Sequence, residues 1–199
     1  VFEPLKYYDN NINSLINILN FLKERSISNF VFSSSCTVYG SPEIIPVTEK
    51  SEVKKGESPY GKSKIIGEEI INDFNASHTF SAINLRYFNP IGAHSSGLIG
   101  DKPSGKPNNL LPFVTQVAIG KREVLSIFGG DYDTPDGTCL RDYIHVTDLA
   151  KAHVSAIEYN RKNHNKVIPI NLGTGNGSSV LEIVNTFEKV TKIKINFKI

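Results

Sequence analysis

The chain has 199 residues and a formal charge of +2, from 22 Lys and Arg against 20 Asp and Glu. That near-balance, with no basic arm or run, excludes a surface built on counterion release and argues against nucleic acid as a partner. With 39% hydrophobic residues and no apolar run near the roughly 20 residues that a membrane span needs, the composition is that of a folded soluble protein without a membrane partner. Val1 to Asn10 has neither the charged nor the apolar stretch of a signal peptide. Cys36 and Cys139 are the only cysteines and stand outside any CxxC or metal-type spacing, so a reducing compartment, the cytoplasm, is the expected location and no metal site is expected. No methionine occurs, position 1 included, a first sign of truncation.

From Pro4 to Arg25, Ile12, Leu15, Ile16, Leu19 and Leu22 recur at three- and four-residue intervals, which predicts an amphipathic helix with Pro4 in its first turn. Asn29 to Ser34 carries the short apolar run Phe30-Val31-Phe32 of a strand buried on both faces of a parallel sheet. A helix follows from about Tyr60 to Phe74 and a strand from Phe80 to Tyr87, then a Gly- and Pro-rich loop from Asn89 to Asn108, a length usually reserved for function. Beyond it the pattern predicts a helix at Leu110 to Ile119, a strand at Val124 to Phe128, a turn cluster at Gly129 to Gly137 and a strand around Cys139 to Ile144. A helix entered near Asp148 runs to about Asn160, followed by a strand at Val167 to Leu172, a helix at Val180 to Lys189 and a strand near Lys194 to Ile199. Such alternation argues for an α/β, doubly wound parallel sheet, with no internal repeat and no low-complexity linker.

Tyr60 and Lys64 stand four apart on a predicted helix and therefore project from one face. An ammonium roughly 5 Å from a phenol favours the phenolate by about 3 kcal/mol at an effective dielectric of about 20, lowering a pKa near 10 by about 2 toward a useful general base. Taken alone, the spacing fits a surface tyrosine beside a solvated lysine equally well. Ser33-Ser34-Ser35 follows a buried strand directly, at the carboxyl end where open α/β sheets place their ligands.

The run Ser33 to Gly40, the segment Ser58-Pro59-Tyr60-Gly61-Lys62-Ser63-Lys64 and Tyr7 to Asn11 resemble the extended short-chain dehydrogenases/reductases, and among them the UDP-glucose 4-epimerases. Leu85 to Pro90, Pro107 to Pro112, Ile127 to Gly129, Arg141 to Val146 and Asn171 to Gly173 continue the resemblance, collinear over essentially the whole chain. The fold it implies is the second half of a Rossmann-like domain with a small α/β substrate-binding part. Residues 1–90 would complete the NAD-binding domain with its Ser/Tyr/Lys residues and 91–145 would mainly bind the UDP-sugar. Residues 146–175 would return to the sheet, and 176–199 would begin a C-terminal substrate part.

The activity implied is interconversion of UDP-glucose and UDP-galactose through transient oxidation by NAD at C4 of the sugar, rotation of the keto sugar and reduction on its other face. In that resemblance Tyr60 is the acid/base at the sugar 4-hydroxyl, Ser35 hydrogen-bonds the same oxygen, and Lys64 holds the nicotinamide ribose and biases Tyr60. Asn10, Ser35, Tyr60, Lys64, Tyr87 and Phe88 match positions on the NAD side. Ser35, Cys36, Thr37, Tyr60, Tyr87, Phe88, Asn89, Asn108, Asn109, Leu110, Ser126, Ile127 and Phe128 match the sugar-nucleotide pocket. Arg141 matches the arginine that meets the diphosphate, a task for its fixed fork of donors. A homodimer paired through the helices at Pro4 to Arg25 and Tyr60 to Phe74 is also implied.

Gly173-Thr174-Gly175-Asn176-Gly177 lies between a strand and a helix and mimics a phosphate loop, but Ser178 stands where the dinucleotide fingerprint needs its third glycine, so a tight turn with a serine cap is expected. The glycine-rich loop and first strands of the resembled enzymes would precede Val1, and the last substrate-closing segments would follow Ile199. The chain alone is accordingly expected to lack NAD and turnover. A 4,6-dehydratase would need an acidic pair where Cys36 and Thr37 stand. Another UDP-sugar epimerase, a decarboxylase, or a non-catalytic nucleotide-binding protein on the same scaffold are the remaining alternatives.

Overall fold

The periodic apolar residues after Pro4 form helix in two pieces, α1 (Pro4–Tyr8) and α2 (Ser14–Glu24), joined by a wider π turn over Asp9–Asn13 where one uninterrupted helix was expected. The structure, a computed structural model, describes residues 3–103 and 105–199. In chain order there follow β1 (Asn29–Ser33), a 3-10 turn at Cys36–Tyr39, α3 (Pro59–Ser77) and β2 (Ser81–Tyr87). Next come β3 (Asn89–Ile91), α4 (Leu110–Ala118), β4 (Leu125–Ser126), β5 (Leu140–His145) and α5 (Val146–Lys162). The last are β6 (Val167–Leu172), β7 (Gly177–Ser179), α6 (Val180–Thr191) and β8 (Phe197–Lys198). No helix among the described residues is long and apolar enough to cross a membrane.

The chain is α/β and divides into two compact units. The first runs to Phe88 and takes in Asp148–Leu172; the second comprises Asn89–Thr147 and Gly173–Ile199. The sheet of the first is wholly parallel in the order β1-β2-β6, with Val31 beside Ile83 and Ile83 beside Ile168. Alternate residues of these strands serve opposite faces. Ala82 packs with Leu15, Leu19, Leu22 and Ile71 of α2 and α3, whereas Ile83 and Leu85 pack with Ala156 of α5. In the second unit β3 and β5 are parallel, β7 joins β5 antiparallel, and β4 pairs with β8. Its core is Val114, Val117, Leu125, Ile127, Val184 and Ile195.

Two short strands escaped the sequence reading. β3 lies where a loop was expected and β7 where a tight turn was expected, because three residues are too few for alternation to register and both exist through their pairing with β5. α5 also begins at Val146, which places Asp148 in its first turn, favourable for the helix dipole, instead of at its cap.

Helix α3 is fixed by local chemistry and by close approach. Pro59 opens it, and Ser58 Oγ accepts from Gly61 N at 3.1 Å as its N-cap. At Gly67 a Cβ would lie 2.7 Å from the Phe32 ring, so only glycine lets the helix settle this closely on β1. Below that contact Arg86, on the central strand, meets Glu68 of α3 in a buried, forked ion pair, with Nε to Oε1 at 2.9 Å and Nη2 to Oε2 at 2.5 Å. Arg86 Nη1 also donates to Tyr39 Oη at 3.0 Å, and Tyr39 donates to Asn171 Oδ1 at 2.7 Å. Burial works against the charge, but the hydrogen bonds with Glu68 and Tyr39 outweigh it and hold the guanidinium above its ordinary pKa. Removing one partner strands the other charge in the core, so Arg86→Ala is expected to lower the unfolding free energy by about 3–5 kcal/mol. Denaturant melts measure this, and a loss below about 1 kcal/mol would mean that the pair is not the buried anchor described here.

Candidate active site

Strand β1 ends at Ser33, and the three serines that follow its apolar run take three different partners on α3. Ser33 O accepts from Lys64 Nζ at 2.7 Å, Ser34 Oγ donates to Glu68 Oε1 at 2.5 Å, and the Ser35 hydroxyl hydrogen-bonds the Tyr60 phenol. Tyr60, Lys64 and Glu68 are spaced four apart, so they form one stripe down the helix. Ser35 is extended, caps the Cys36–Tyr39 turn by accepting from Thr37 N at 3.3 Å, and is 6% exposed. The Lys64 ammonium lies 5.4 Å from the centre of the Tyr60 ring and 5.2 Å from that of Phe32, with Tyr7 edge-on to Tyr60 at 6.4 Å.

Tyr60 is more basic than an ordinary tyrosine, opposite to the lowering expected from a neighbouring lysine. Burial raises it, the Ser35 hydrogen bond lowers it in part, and Tyr87 and Cys36 raise it further. The reason is visible in the contacts. Lys64 gives its short hydrogen bond to the Ser33 carbonyl and lies against the face of the phenol ring, and its own pKa is lowered by the same burial.

The first unit thus brings Ser35, Cys36, Tyr60, Lys64 and Tyr87 together at the carboxyl end of the parallel sheet. Asn10 lies in the exposed π turn, Thr37 is exposed in the 3-10 turn, and Phe88 follows β2, its amide bonded to Leu172 O. The other sugar-nucleotide candidates belong to the second unit. Asn89 opens β3 opposite Tyr143, two residues from Arg141 on β5. Asn108 is exposed, Asn109 precedes α4 without a capping bond, and Leu110 begins that helix. Ser126 ends β4 and is exposed, Ile127 is buried, and Phe128 is 83% exposed. Arg141 is also exposed, with Nη1 on the Leu140 carbonyl at 2.7 Å.

Ser34, Glu68 and Arg86 carried no role in the sequence reading. A signal existed, since a carboxylate on the stripe of Tyr60 and Lys64 and an arginine inside an apolar strand are both rare unless paired. Asp142 was missed in the same way. Its carboxylate accepts from Thr174 N, Thr174 Oγ1 and Gly175 N at 2.7–2.9 Å, so the glycine-rich turn at Gly173–Gly177 is filled by an anion from the chain itself.

Residues 2–173 match the NAD dependent epimerase/dehydratase family. The chain belongs to that family. A UDP-glucose 4-epimerase of Pasteurella multocida (strain Pm70) is 52% identical over the whole of this chain, and that of Homo sapiens is 50% identical. The chain spans 59% and 57% of those two relatives. Among solved structures, UDP-glucose 4-epimerase from Bifidobacterium longum in complex with NAD+ and UDP superposes with a TM-score of 0.94 at 45% identity, over 100% of this chain and 59% of that one. In this epimerase/dehydratase chain the Ser35 hydrogen bond is the one contact that pulls the Tyr60 pKa down. Ser35→Ala should therefore shift the Tyr60 titration to higher pH, read as the 295 nm absorbance that Tyr60→Phe removes; an unchanged titration would refute the contact.

Proposed function

We propose that the protein interconverts UDP-glucose and UDP-galactose, with Tyr60, Ser35 and Lys64 as its catalytic residues. The observation that carries this reading is the convergence of those three side chains at the carboxyl end of β1, in a chain 52% identical to a UDP-glucose 4-epimerase. Tyr60 Oη takes the proton of the sugar 4-hydroxyl and later returns it to the same oxygen, which Ser35 Oγ holds by a hydrogen bond throughout. Burial keeps Tyr60 protonated in the structure described, so its base form depends on positive charge beside it, from Lys64 and from a cationic cofactor.

The residues fit NAD at its nicotinamide end. Lys64 supplies an ammonium for the ribose hydroxyls, and Asn10, Tyr87 and Phe88 complete that side. Bound NAD supplies the transient oxidation at C4 of the sugar. The Gly173–Gly177 turn is not its pyrophosphate site, because Asp142 already takes the amides that would serve a phosphate. For the sugar nucleotide we assign Cys36 and Thr37 beside Ser35, and Asn89, Asn108, Asn109, Leu110, Ser126, Ile127 and Phe128 of the second unit. Arg141 would receive the diphosphate.

The test is a coupled assay with UDP-galactose on the protein at its full encoded length. Tyr60→Phe is expected to lower kcat by about 100-fold or more with little change in UDP affinity, since acid-base help is a transition-state effect. Arg141→Ala is expected to do the reverse, weakening UDP binding more than it slows turnover. Turnover of Tyr60→Phe within threefold of wild type, or an unchanged UDP affinity for Arg141→Ala by calorimetry, would refute the respective role.

A second copy of the chain is the proposed partner. Leu5, Ile16, Ile18 and Phe21 of α1 and α2 are each 40% or more exposed, an apolar face that pairing across a twofold axis would cover. Sedimentation at micromolar concentration should find a dimer, and a monomer alone would contradict it.

A further inference from the structure

We infer that Ser34, Glu68 and Arg86 are positioning residues for the Ser35–Tyr60 contact: Arg86 clamps Glu68, Glu68 fixes Ser34, and Ser34 sets where the chain leaves β1 and presents Ser35. The inference rests on the proposed role of Tyr60 as the acid/base.

The geometry behind it is a chain of buried contacts. Ser34 is fully buried, and its backbone N–H turns back to Phe32 O at 2.9 Å, the first departure from the ladder of β1. Its Oγ has one acceptor, Glu68 Oε1 at 2.5 Å, and that same oxygen receives Arg86 Nε. Glu68 therefore uses one carboxylate to hold both the central strand and the serine turn. The register along α3 matters equally. Glu68 stands two helical turns from Tyr60, so fixing Ser34 against Glu68 also fixes Ser35 against Tyr60. Tyr39, bonded to the same guanidinium, anchors the far end of the turn that begins at Ser35. Both ends of the segment Ser34–Tyr39 are thus tied to the Arg86–Glu68 pair, and Ser35 lies between them.

A purely structural role would predict loss of stability with the phenol untouched. A positioning role predicts more, because the Ser35 hydrogen bond is what draws the phenol toward ionisation. The other groups that face Tyr60 are Tyr7 from α1, Lys64 from its own helix, Cys36 from the turn and Tyr87 from β2. Removing the Ser34 hydroxyl alters none of them, and it leaves the Arg86–Glu68 fork intact.

The experiment titrates Tyr60 in Ser34→Ala at full encoded length without substrate, using the 295 nm signal that Tyr60→Phe removes. The midpoint is expected to rise by about half a pH unit or more, as the loosened Ser35 contact ceases to favour the phenolate. With UDP-galactose, kcat is expected to fall about tenfold with KM within about twofold. A Tyr60 midpoint equal to wild type overturns the inference, whatever happens to the melting temperature. Should Ser34→Ala fail to fold, Ser34→Cys, nearly isosteric and a far weaker donor, takes its place with the same two outcomes. A wild-type protein that does not turn over UDP-galactose would sink the proposed activity, while the shift in the Tyr60 midpoint would still decide the positioning role.

Discussion

The buried pair between Arg86 and Glu68 is the constraint on which the first unit depends. Desolvating two ions is costly, and the cost is offset only where geometry is good and the remaining donors and acceptors are used. Here they are. Glu68 accepts from Arg86 through both oxygens and from Ser34, while Arg86 reaches Tyr39 with its third nitrogen. The pair thereby joins β2, α3, the end of β1 and the 3-10 turn at a single point, and Tyr39 extends it to Asn171 on β6. A dispersive apolar contact in the same place would bind these elements without prescribing their register. A forked ion pair prescribes it, because each donor has one acceptor it can reach.

Chemistry is then a matter of what lies at the top of this arrangement. Lys64 and Tyr60 are one and two turns from Glu68 on α3, in an environment dry enough to raise the phenol and lower the ammonium. Both shifts oppose charge. Burial therefore works against the charged form of both groups, the phenolate of Tyr60 and the ammonium of Lys64. The second unit handles charge differently. Its exposed Arg141 offers a cation to solvent, and its one phosphate-like turn is already satisfied by Asp142.

Most of the fold was legible in the sequence because its long elements obey strong periodicities. Leu15, Leu19 and Leu22 mark the buried stripe of α2, and the stretch Ala82–Leu85 marks a strand buried on both faces; Phe30-Val31-Phe32 is a strand as expected but only half-buried, because β1 pairs with β2 alone among the described strands. What stayed hidden depends on partners distant in sequence. β3 and β7 exist through β5, and the π turn at Asp9–Asn13 coincides with Asn11 reaching Ser63, 52 residues away. The serines and the Tyr60–Lys64 pair were legible from spacing and from their motifs, but the direction of the Tyr60 shift was not. Coulomb's law gives the sign of a lysine's influence; burial and the choice of the Ser33 carbonyl as the ammonium's partner are tertiary facts.

The placement of Tyr60, Lys64 and Glu68 at four-residue intervals makes α3 a ruler as much as a scaffold. Each residue of an α-helix advances about 100° around the axis, so one residue inserted between Tyr60 and Glu68 would turn the phenol about a quarter of the way round from the serine turn while Glu68 stayed locked to Arg86. No repacking of side chains could restore the stripe. Exchange of residue types on the outer face, as at Lys62 or Glu69, leaves the ruler unchanged. The segment between these two residues is therefore one whose length is far less free to vary than its composition. A gain or loss of residues that an exposed loop would absorb would here separate Tyr60 from the buried pair that holds its helix.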